Sequence, residues 1–409
     1  MSRIDELIKQ LCPNGVDYKA IGDLGELVRG NGMPKSDFVD SGIGCIHYGQ
    51  IYTYYGIWTT RTKSFVSLSK AEKLAKVDPG DLVITNTSEN VEDVCKAVAW
   101  IGEVQIVTGG HATVLKHDQD PKYLSYYLQT PQFSVEKKKH ATGTKVIDVS
   151  AKSLAKIKIP VPPLEVQRQI VKVLDTFTTL EAELEAELEA RRRQYQYYRD
   201  ALLRFEEGTD AATRVRWMTL GEICKSVSSG GTPLSTRADY YGGDIPWLRT
   251  QEVRYTDILD TEIKITEKGL KESAAKWIPA NCIIVAISGA TAARSAINKI
   301  PLTTNQHCCN LEVDSTQANY RYVFHWVSKE YERLKALGQG ARADLNSGII
   351  KNYKIPIPPL EVQARIVAVL DQFDTLVNDI TAGLPAEIAA RRQQYAYYRD
   401  RLLTFKEAV

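Results

Sequence analysis

Apolar side chains recur at steps of mostly three and four residues through a long stretch near the middle of the chain. The apolar or aromatic positions are Val166, Ile170, Val173, Phe177, Leu180, Leu184, Leu188, Tyr195, Tyr198, Leu202 and Phe205. This spacing is typical of a coiled-coil seam. Residues 181–188 are two Glu-Ala-Glu-Leu units, which are strong helix formers. The pattern predicts a helix of about 42 residues, or roughly 60 Å at ~1.5 Å per residue.

A pair of prolines marks the predicted start of this helix. Pro162-Pro163 suits a first helical turn but not a helix interior. Glu165 follows in that turn, where the helix dipole favours an acid. A second stretch opens in the same way at Pro358-Pro359, but Gly383-Leu384-Pro385 interrupts it. We expect a kink or a short break there, because an interior proline costs about 3 kcal/mol.

The two stretches are copies of one sequence. Residues 159–167, Ile-Pro-Val-Pro-Pro-Leu-Glu-Val-Gln, recur almost unchanged at residues 355–363, and Tyr-Tyr-Arg-Asp occurs at both 197–200 and 397–400. The regions ahead of the two copies are only faintly alike: Thr-Gly-Gly-His at 108–111 aligns with Thr-Asn-Gln-His at 304–307. Such internal similarity predicts a duplicated architecture of variable domain and fixed cassette.

The predicted fold class is α+β. Two mixed α/β domains, at residues 1–160 and 209–356, are separated by two long helices, which we call cassette one (161–208) and cassette two (357–409, kinked near 383–385). A lone helix with an apolar stripe is not stable in water. Antiparallel pairing of the cassettes would bury both stripes and relate the halves by a pseudo-two-fold axis. The alternative is that each helix packs on its own globular domain.

Residues of the seam are the candidates for helix pairing or for docking of a partner protein. They are Leu180, Leu184, Leu188, Tyr195, Tyr198, Leu376, Ile380, Tyr395 and Tyr398.

Composition is that of a globular protein that remains in the cytoplasm. Apolar residues make up 44% and charged residues 25% of the chain, which has no apolar run long enough to span a membrane. The first residues include acids and no apolar core, so we expect no signal peptide. The seven cysteines include no Cys-x-x-Cys pair. Neither a disulfide framework nor a zinc site is therefore expected.

Charge is distributed unevenly although the net charge is only +2. The domains at 1–160 and 209–356 are mildly basic, and the segments after them are acidic: residues 1–160 sum to roughly +2, 161–208 to roughly −3, 209–358 to roughly +4 and the remainder to roughly −1. This distribution permits DNA binding without requiring it.

The repeated cassettes carry a resemblance to a known family. Ile-Pro-x-Pro-Pro-Leu-Glu-x-Gln, followed by a long helix that ends in Arg-Arg-x-Gln-Tyr-x-Tyr-Tyr-Arg-Asp-x-Leu-Leu, resembles the specificity subunit of type I restriction–modification systems. The tandem Glu-Ala-Glu-Leu units are similar to one branch of that family. The resemblance covers essentially the whole chain, but the domains between the cassettes carry it only weakly.

The resemblance implies a function. Such a subunit recognises a bipartite site in double-stranded DNA, with one half-site for each target-recognition domain. It docks two methyltransferase subunits and, through them, two restriction subunits. S-adenosylmethionine, ATP and Mg²⁺ are then expected on those partners, and no cofactor, metal or membrane is expected for this chain.

The residues themselves carry no complete catalytic motif. The Asn/Asp-Pro-Pro-aromatic loop of an amino-methyltransferase and the Gly-Lys-Ser/Thr of a P-loop are absent from the sequence. The Glu-x-Lys triplets at 136–138 and 262–264 are common in charged chains and follow no Pro-Asp partner. We therefore expect a non-catalytic subunit. The alternative from another class is a coiled-coil scaffold whose globular domains bind proteins instead of DNA.

Polar, glycine-rich loops are the candidates for DNA contact, because Lys, Arg, Ser and Thr bind phosphates while Arg, Asn, Gln and Lys read base edges. In the first domain the candidates are Asn31, Lys35, Tyr48, Gln50, Asn86, Thr87, Ser88, Asn90, Lys138, Thr144 and Lys145. In the second domain they are Gly231, Thr232, Arg249, Gln251, Ser288, Thr291, Arg294, Asn305, Gln306, Gln339 and Arg342. Many of these positions are equally typical of ordinary turns.

Overall fold

A computed structural model describes residues 3–206, 215–338, 344–379 and 381–408. The chain divides into two compact units, Met1–Glu183 with Ala390–Val409, and Leu184–Ala389. The predicted boundaries separated the cassettes from the globular domains. The compact units instead take one part of each cassette, because the apolar stripe of each helix is buried partly on a domain and partly on the other helix.

The first unit is built on two five-stranded sheets within its described residues. The sheets run in the order β2-β12-β8-β10-β5 and β3-β6-β4-β11-β7, with further pairs β1-β14 and β13-β9. The strands are β1 (Tyr18–Ala20), β2 (Gly25–Arg29), β3 (Phe38–Val39), β4 (Ile43–Ile46), β5 (Trp58–Thr59), β6 (Ser64–Val66), β7 (Ala75–Val77), β8 (Leu82–Thr85), β9 (Thr87–Ser88), β10 (Ala97–Trp100), β11 (Ile106–Thr108), β12 (Ala112–His117), β13 (Ile147–Asp148) and β14 (Lys158–Pro160).

Helices cover the outer face of the first of these sheets. These helices include α4 (Pro121–Tyr127), α5 (Pro131–Lys138) and the start of α7 (Leu164–Leu202). The remaining α-helices of the described part of this unit's first segment are α1 (Arg3–Leu11), α2 (Tyr48–Thr53), α3 (Leu68–Ala71) and α6 (Ala151–Leu154). Along β8, Leu82 and Ile84 pack in the core under these helices, whereas Val83 packs in the core between the two sheets. Every residue of β8 is therefore buried, as expected for a strand covered on both faces.

The second unit repeats this fold. Its sheets run in the order β16-β24-β21-β22-β18 and β19-β17-β23-β20, with a further pair β15-β25. The strands are β15 (Arg216–Thr219), β16 (Cys224–Ser229), β17 (Tyr241–Leu248), β18 (Asp257–Ile258), β19 (Lys264–Ile265), β20 (Trp277–Ile278), β21 (Ile283–Ala286), β22 (Ser295–Asn298), β23 (Leu302–Thr304), β24 (Cys308–Val313) and β25 (Lys354–Ile357). The helices are α8 (Glu267–Lys271), α9 (Tyr320–Lys329), α10 (Tyr331–Ala336), α11 (Ser347–Asn352) and α12 (Leu360–Asn378). The five-stranded sheet has the same strand order as β2-β12-β8-β10-β5, although the two sequences are barely alike.

The two cassettes are unequal. Cassette one is the continuous helix α7 of 39 residues. In cassette two, α12 ends at Asn378 and α13 (Leu384–Leu402) begins at the residue before Pro385. The structure therefore shows a break between two helices at the predicted interruption. Ile380 lies outside the described residues.

The cassette helices pair in an antiparallel manner, and the same contact occurs in each unit. In the first unit Phe177 stacks on Tyr398, with 5.3 Å between ring centroids, and the Glu181 carboxylate lies 2.5 Å from the Arg392 guanidinium. Residue numbers therefore fall along α13 as they rise along α7. In the second unit Phe373 stacks on Tyr198 at 5.4 Å. These are equivalent positions of the repeat, and the predicted antiparallel pairing is confirmed.

The alternative packing also occurs, at the start of each cassette. Val166, Ile170 and Leu174 are fully buried in the core of the first unit. Ile366 and Leu370 are buried in the same way in the second. By contrast, the seam residues Leu180, Leu184 and Leu188 are only half-buried.

A buried glutamine fixes the first turn of each cassette. The Gln167 side chain accepts from the Asp120 backbone N–H at 3.0 Å and donates to the Pro162 carbonyl at 2.7 Å. Gln363 makes the same bonds, to the Asn319 N–H and the Pro358 carbonyl, both at 2.8 Å. The last residue of the Pro-Pro-Leu-Glu-Val-Gln motif thus ties each cassette to the helix start at Asp120 or Asn319.

A polar cluster makes a second tie between each cassette and its unit. In the second unit Asp371 of α12 accepts from His325 at 2.7 Å and from Arg321 at 2.8 Å, both of α9. The hydroxyl of Tyr195 in α7 lies 3.2 Å from the other nitrogen of His325. Burial alone would raise the pKa of Asp371, but its hydrogen bonds to His325 and Arg321 and the charge of Arg321 outweigh burial and lower that pKa.

The first unit carries the equivalent cluster with different side chains. Asp175 accepts from Tyr126 at 2.9 Å and from Lys122 at 2.7 Å, both of α4. The ring of Tyr126 lies 6.4 Å from that of Tyr395 in α13, the same separation as between His325 and Tyr195. Each cluster therefore joins a domain helix to both cassettes.

Candidate nucleic-acid interface

The sheet topology brings several loops of the first unit to one edge. Strand β12 is antiparallel to β2 and β8, with Arg29 opposite Thr113 and Thr85 opposite Ala112. In the second sheet β4 is parallel to β11, with Ile46 beside Thr108. The loops that follow β2, β4 and β8 therefore meet the loop between β11 and β12. We call this region the loop edge of the first unit.

The second unit has a loop edge of the same construction. Ser229 lies opposite Cys309, Ala286 opposite Cys308, and Leu248 beside Thr304. The loops after β16, β17 and β21 consequently meet the loop between β23 and β24. Loops presented at one edge of a rigid sheet are a common arrangement for recognition.

Glycine permits the closest approach within each loop edge. A Cβ atom on Gly30, just after β2, would lie 1.9 Å from the Gly109 carbonyl oxygen, and one on Gly230 would lie 1.8 Å from that of Thr304. A side chain at either position would push the loop after β2 or β16 away from its neighbour. Both units therefore need glycine at this point for the loops to meet.

Histidine and tyrosine rings cluster at the loop edge of the first unit. Nδ1 of His111 lies 3.1 Å from the Thr87 hydroxyl, and its ring centroid lies 5.0 Å from that of Tyr48. Tyr48 in turn lies 4.5 Å from the ring of His47. Burial lowers the pKa of His47, and the nearby charges of Lys35 and His111 lower it further. The neutral form of His47 is therefore favoured near pH 7.

The loop edge of the second unit holds different side chains at matching places. Arg249 follows β17 where His47 follows β4, and it contacts Glu262 at 2.8 Å and Glu252 at 3.7 Å. Gln306 hydrogen bonds to Thr232 and lies 3.2 Å from the ring of His307. The two edges therefore share a framework and differ in their chemistry.

Most of the predicted DNA-contact residues lie on these loops. Those that are exposed or half-buried at the first edge include Asn31, Lys35, Tyr48, Ser88, Thr144 and Lys145; those at the second include Thr232, Arg249, Gln251, Ser288, Thr291, Arg294 and Gln306. Thr144 and Lys145 reach the first edge because β13 pairs with β9 and Thr142 bridges to Asp148. The Asn31 amide also donates to the Lys73 carbonyl at 2.8 Å.

Several predicted contact residues are instead structural. Asn86 is fully buried: its amide donates to the Val149 carbonyl and its oxygen accepts from Thr113. Gly231 is buried, and its carbonyl accepts from the Trp247 indole at 3.0 Å. A buried polar group whose hydrogen bonds are already made is not available to a base edge. We therefore correct the assignment of Asn86 and Gly231 as DNA contacts.

Other candidates are largely occupied by local bonds. The Gln50 amide caps its own helix and donates to Ser64 at 2.6 Å. Asn305 is buried and its side chain accepts from the His307 backbone N–H, while the Thr87 hydroxyl holds His111.

Asn90 lies on the loop between β9 and β10, and its amide donates to the Asp93 carboxylate at 2.9 Å. Lys138 lies on α5, and its ammonium is 3.8 Å from the Glu92 carboxylate. Gln339 and Arg342 lie outside the described residues.

The candidates taken from the sequence did not include His47, His111 or His307, which the structure places at the loop edges. The available signal was that His111 and His307 align at the end of Thr-Gly-Gly-His and Thr-Asn-Gln-His.

The two units share one fold and carry loop edges of the same construction. The family model described as the type I restriction modification DNA specificity domain matches residues 13–190 and 214–390. The chain belongs to this family.

Among its relatives is the EcoR124I/EcoR124II specificity subunit of Escherichia coli, 39% identical over 296 residues that cover 69% of this chain and 70% of the relative. A putative specificity subunit of Haemophilus influenzae is 29% identical over 343 residues, 79% of this chain and 82% of the relative.

Solved structures show the same fold. A chain of a type I R-M system superposes with a TM-score of 0.63 and 17% identity, covering 96% of this chain and 98% of its own. The S subunit of a type I restriction-modification system from M. genitalium superposes with a TM-score of 0.59 and 13% identity, covering 95% of this chain and 96% of its own.

The protein is therefore a DNA specificity subunit of the type I restriction–modification class. Such a subunit is non-catalytic, and catalysis lies in other subunits with which it works. Within the described part of the chain no helix has the length and apolar character needed to cross a membrane. The same residues include no group of three His, Cys, Asp or Glu that could hold a metal ion.

Proposed function

We propose that this subunit recognises a bipartite DNA site, with one half-site for each loop edge, and docks two methyltransferase subunits and, through them, two restriction subunits. The single observation that carries the first part is the pair of loop edges with one framework and different side chains. His47 and Gly110 of the first edge are matched by Arg249 and Gln306 of the second. Bases are distinguished by such changes in hydrogen-bonding groups.

The docking of two partners is supported by duplicated aromatic surfaces. Tyr197 is 69% exposed and Tyr397 is 60% exposed, and each makes an edge contact with the next tyrosine, which is itself 39% exposed. Exposed aromatic side chains are enriched at protein interfaces. Equivalent surfaces on one chain fit two copies of the same partner.

Cofactors belong to the partners in this proposal. S-adenosylmethionine, ATP and Mg²⁺ are bound by the methyltransferase and restriction subunits, whereas this chain supplies recognition. Its site of action is the cytoplasm, where the DNA is.

The test is selection from a random duplex pool by the chain together with its co-encoded methyltransferase. We expect enrichment of a sequence with two fixed halves and an unspecified spacer. Gln306→Ala should relax a base position in one half only and leave the other half intact, because Gln306 lies on the second loop edge alone. Lys225→Ala, at the opposite end of β16, is the matched control and should leave the sequence unchanged. A pool without any enriched sequence would contradict the proposal and favour a protein-binding scaffold.

A further inference from the structure

A histidine stands at the same place in both loop edges, although the two residues before it differ. His111 precedes β12 and His307 precedes β24, and both are exposed. The backbone carbonyl of His111 accepts from Asn86 at 2.8 Å, and that of His307 accepts from Ile287 at 2.9 Å. The residues before them are Gly110 and Gln306. The two histidines therefore occupy equivalent places at the start of the same strand, in two different chemical settings, although of the two only His111 has a positive φ.

The shared position suggests a shared partner on DNA. Two domains that read different half-sites meet different base edges, but both meet the same sugar–phosphate backbone. Contacts to phosphate set the register of a protein on the duplex and carry no sequence information. A residue common to both edges therefore suits phosphate, and residues that differ between the edges suit bases.

The local geometry of His111 favours a role for its side chain. Its φ of 65° lies in the left-handed region, which costs a non-glycine residue about 1 kcal/mol or more, and it directly follows Gly109 and Gly110. The Thr87 hydroxyl occupies Nδ1, which leaves Nε2 free for DNA, and Nε2 carries the donor hydrogen in the tautomer in which the hydroxyl donates to Nδ1. In the second unit Gln306 lies against Nε2 of His307 at 3.2 Å, which leaves Nδ1 for that role.

We propose that His111 and His307 are phosphate anchors, each donating an imidazole N–H to the DNA backbone beside its half-site. This inference rests on the proposed function and adds a division of labour within each loop edge. The histidines fix the register of each domain, and the variable residues around them determine which bases are accepted.

The experiment measures affinity of the subunit–methyltransferase complex for a duplex with the selected sequence and for a random duplex. His111→Ala and His307→Ala should each weaken both affinities by the same factor, about tenfold, and leave the selected sequence unchanged. Asn tolerates the left-handed region, so His111→Asn separates loss of the imidazole from a folding defect. Lys225→Ala is the control, because it removes a cation from the far end of β16.

The outcomes distinguish the two proposals. If the wild-type complex selects no bipartite sequence, the proposed function fails. If the wild-type complex selects a bipartite sequence and the histidine variants bind both duplexes as tightly as the wild type, His111 and His307 are not phosphate anchors. A changed base in the selected sequence of either variant would also overturn the inference, because it would make that histidine a base reader.

Discussion

Single buried polar residues explain why the cassette motif has its sequence. Gln167 and Gln363 are fully buried, and each accepts from a backbone N–H and donates to a proline carbonyl. A shorter or apolar side chain would leave those groups buried without a partner. The cost of an unsatisfied buried group, about 1–3 kcal/mol, exceeds the gain from a typical hydrogen bond.

Replacement of one such glutamine should destabilise its unit. Gln363→Ala is expected to lower the free energy of unfolding by about 2 kcal/mol, because the Asn319 N–H and the Pro358 carbonyl lose their partner. Denaturant unfolding measures the loss. Gln372→Ala, an exposed glutamine of the same helix, is the control and should change stability by less than about 0.5 kcal/mol. Equal losses in the two variants would argue against this role.

The carboxylate of Asp371 should make stability depend on pH. Its pKa is lowered in the folded chain, so the ionised form stabilises the second unit above about pH 4, and that stabilisation is lost as the pH falls through the folded pKa. Asp371→Asn should therefore cost about 2 kcal/mol at pH 7 and almost nothing near pH 2. Unfolding at both pH values checks this, with Asp244→Asn, an exposed carboxylate, as control. An unchanged cost at low pH would contradict the assignment.

At the scale of elements, the two cassettes differ, because cassette one is one continuous helix and cassette two is broken into two helices. Helix α7 spans 39 residues and contributes its two ends to different units. Cassette two contacts α7 through two separate helices, α12 and α13, and the break between these helices lies before Pro385. The tandem Glu-Ala-Glu-Leu units lie in α7, and their leucines are only half-buried.

Removal of one tandem unit should change the spacer between half-sites. Deleting residues 185–188 shortens α7 by about 6 Å, against a duplex rise of about 3.4 Å per base pair. We expect the unspecified spacer to shorten by one or two base pairs while both half-sites stay the same. Methylome sequencing of a host that carries the operon measures this directly. Replacing the same four residues with Ala-Lys-Ala-Leu keeps the length and should keep the spacer; a changed half-site would refute the division between helix and loop edges.

At the scale of the whole molecule, duplication gives one chain two equivalent sets of surfaces. The aromatic contact of Phe177 with Tyr398 is repeated by Phe373 with Tyr198, and the exposed Tyr197 and Tyr397 lie beside these contacts. A single chain can in this way present the same surface twice without forming a dimer. Its partners would then bind in equal copies.

The number of bound methyltransferase subunits should follow the number of intact tyrosine surfaces. Native mass spectrometry of the co-expressed complex is expected to show two methyltransferase subunits for each wild-type chain. Tyr197→Ala or Tyr397→Ala should favour complexes with one, and the double variant complexes with none. Tyr54→Ala changes a tyrosine that is 57% exposed within a globular domain and should retain both partners. If the double variant still bound two methyltransferase subunits, Tyr197 and Tyr397 would not form the docking surfaces.

The sequence alone determined the architecture, because helical periodicity and an internal repeat are local and can be read without knowledge of contacts. The long helix, its proline start, the interruption before Pro385 and the family resemblance were all accessible in this way. The loops of the recognition domains were also located, because glycine and polar residues mark them.

Only the tertiary structure decided which loop residues are available. Asn86 and Gly231 have the residue types of a binding loop, yet strand pairing and side-chain packing place them in the interior. A four-residue match in the sequence aligns His111 with His307, but it is the shared strand order of the two units that places both at the start of the same strand, at the loop edge. Burial and equivalence depend on contacts between residues distant in the chain, and a periodic pattern carries no record of those contacts.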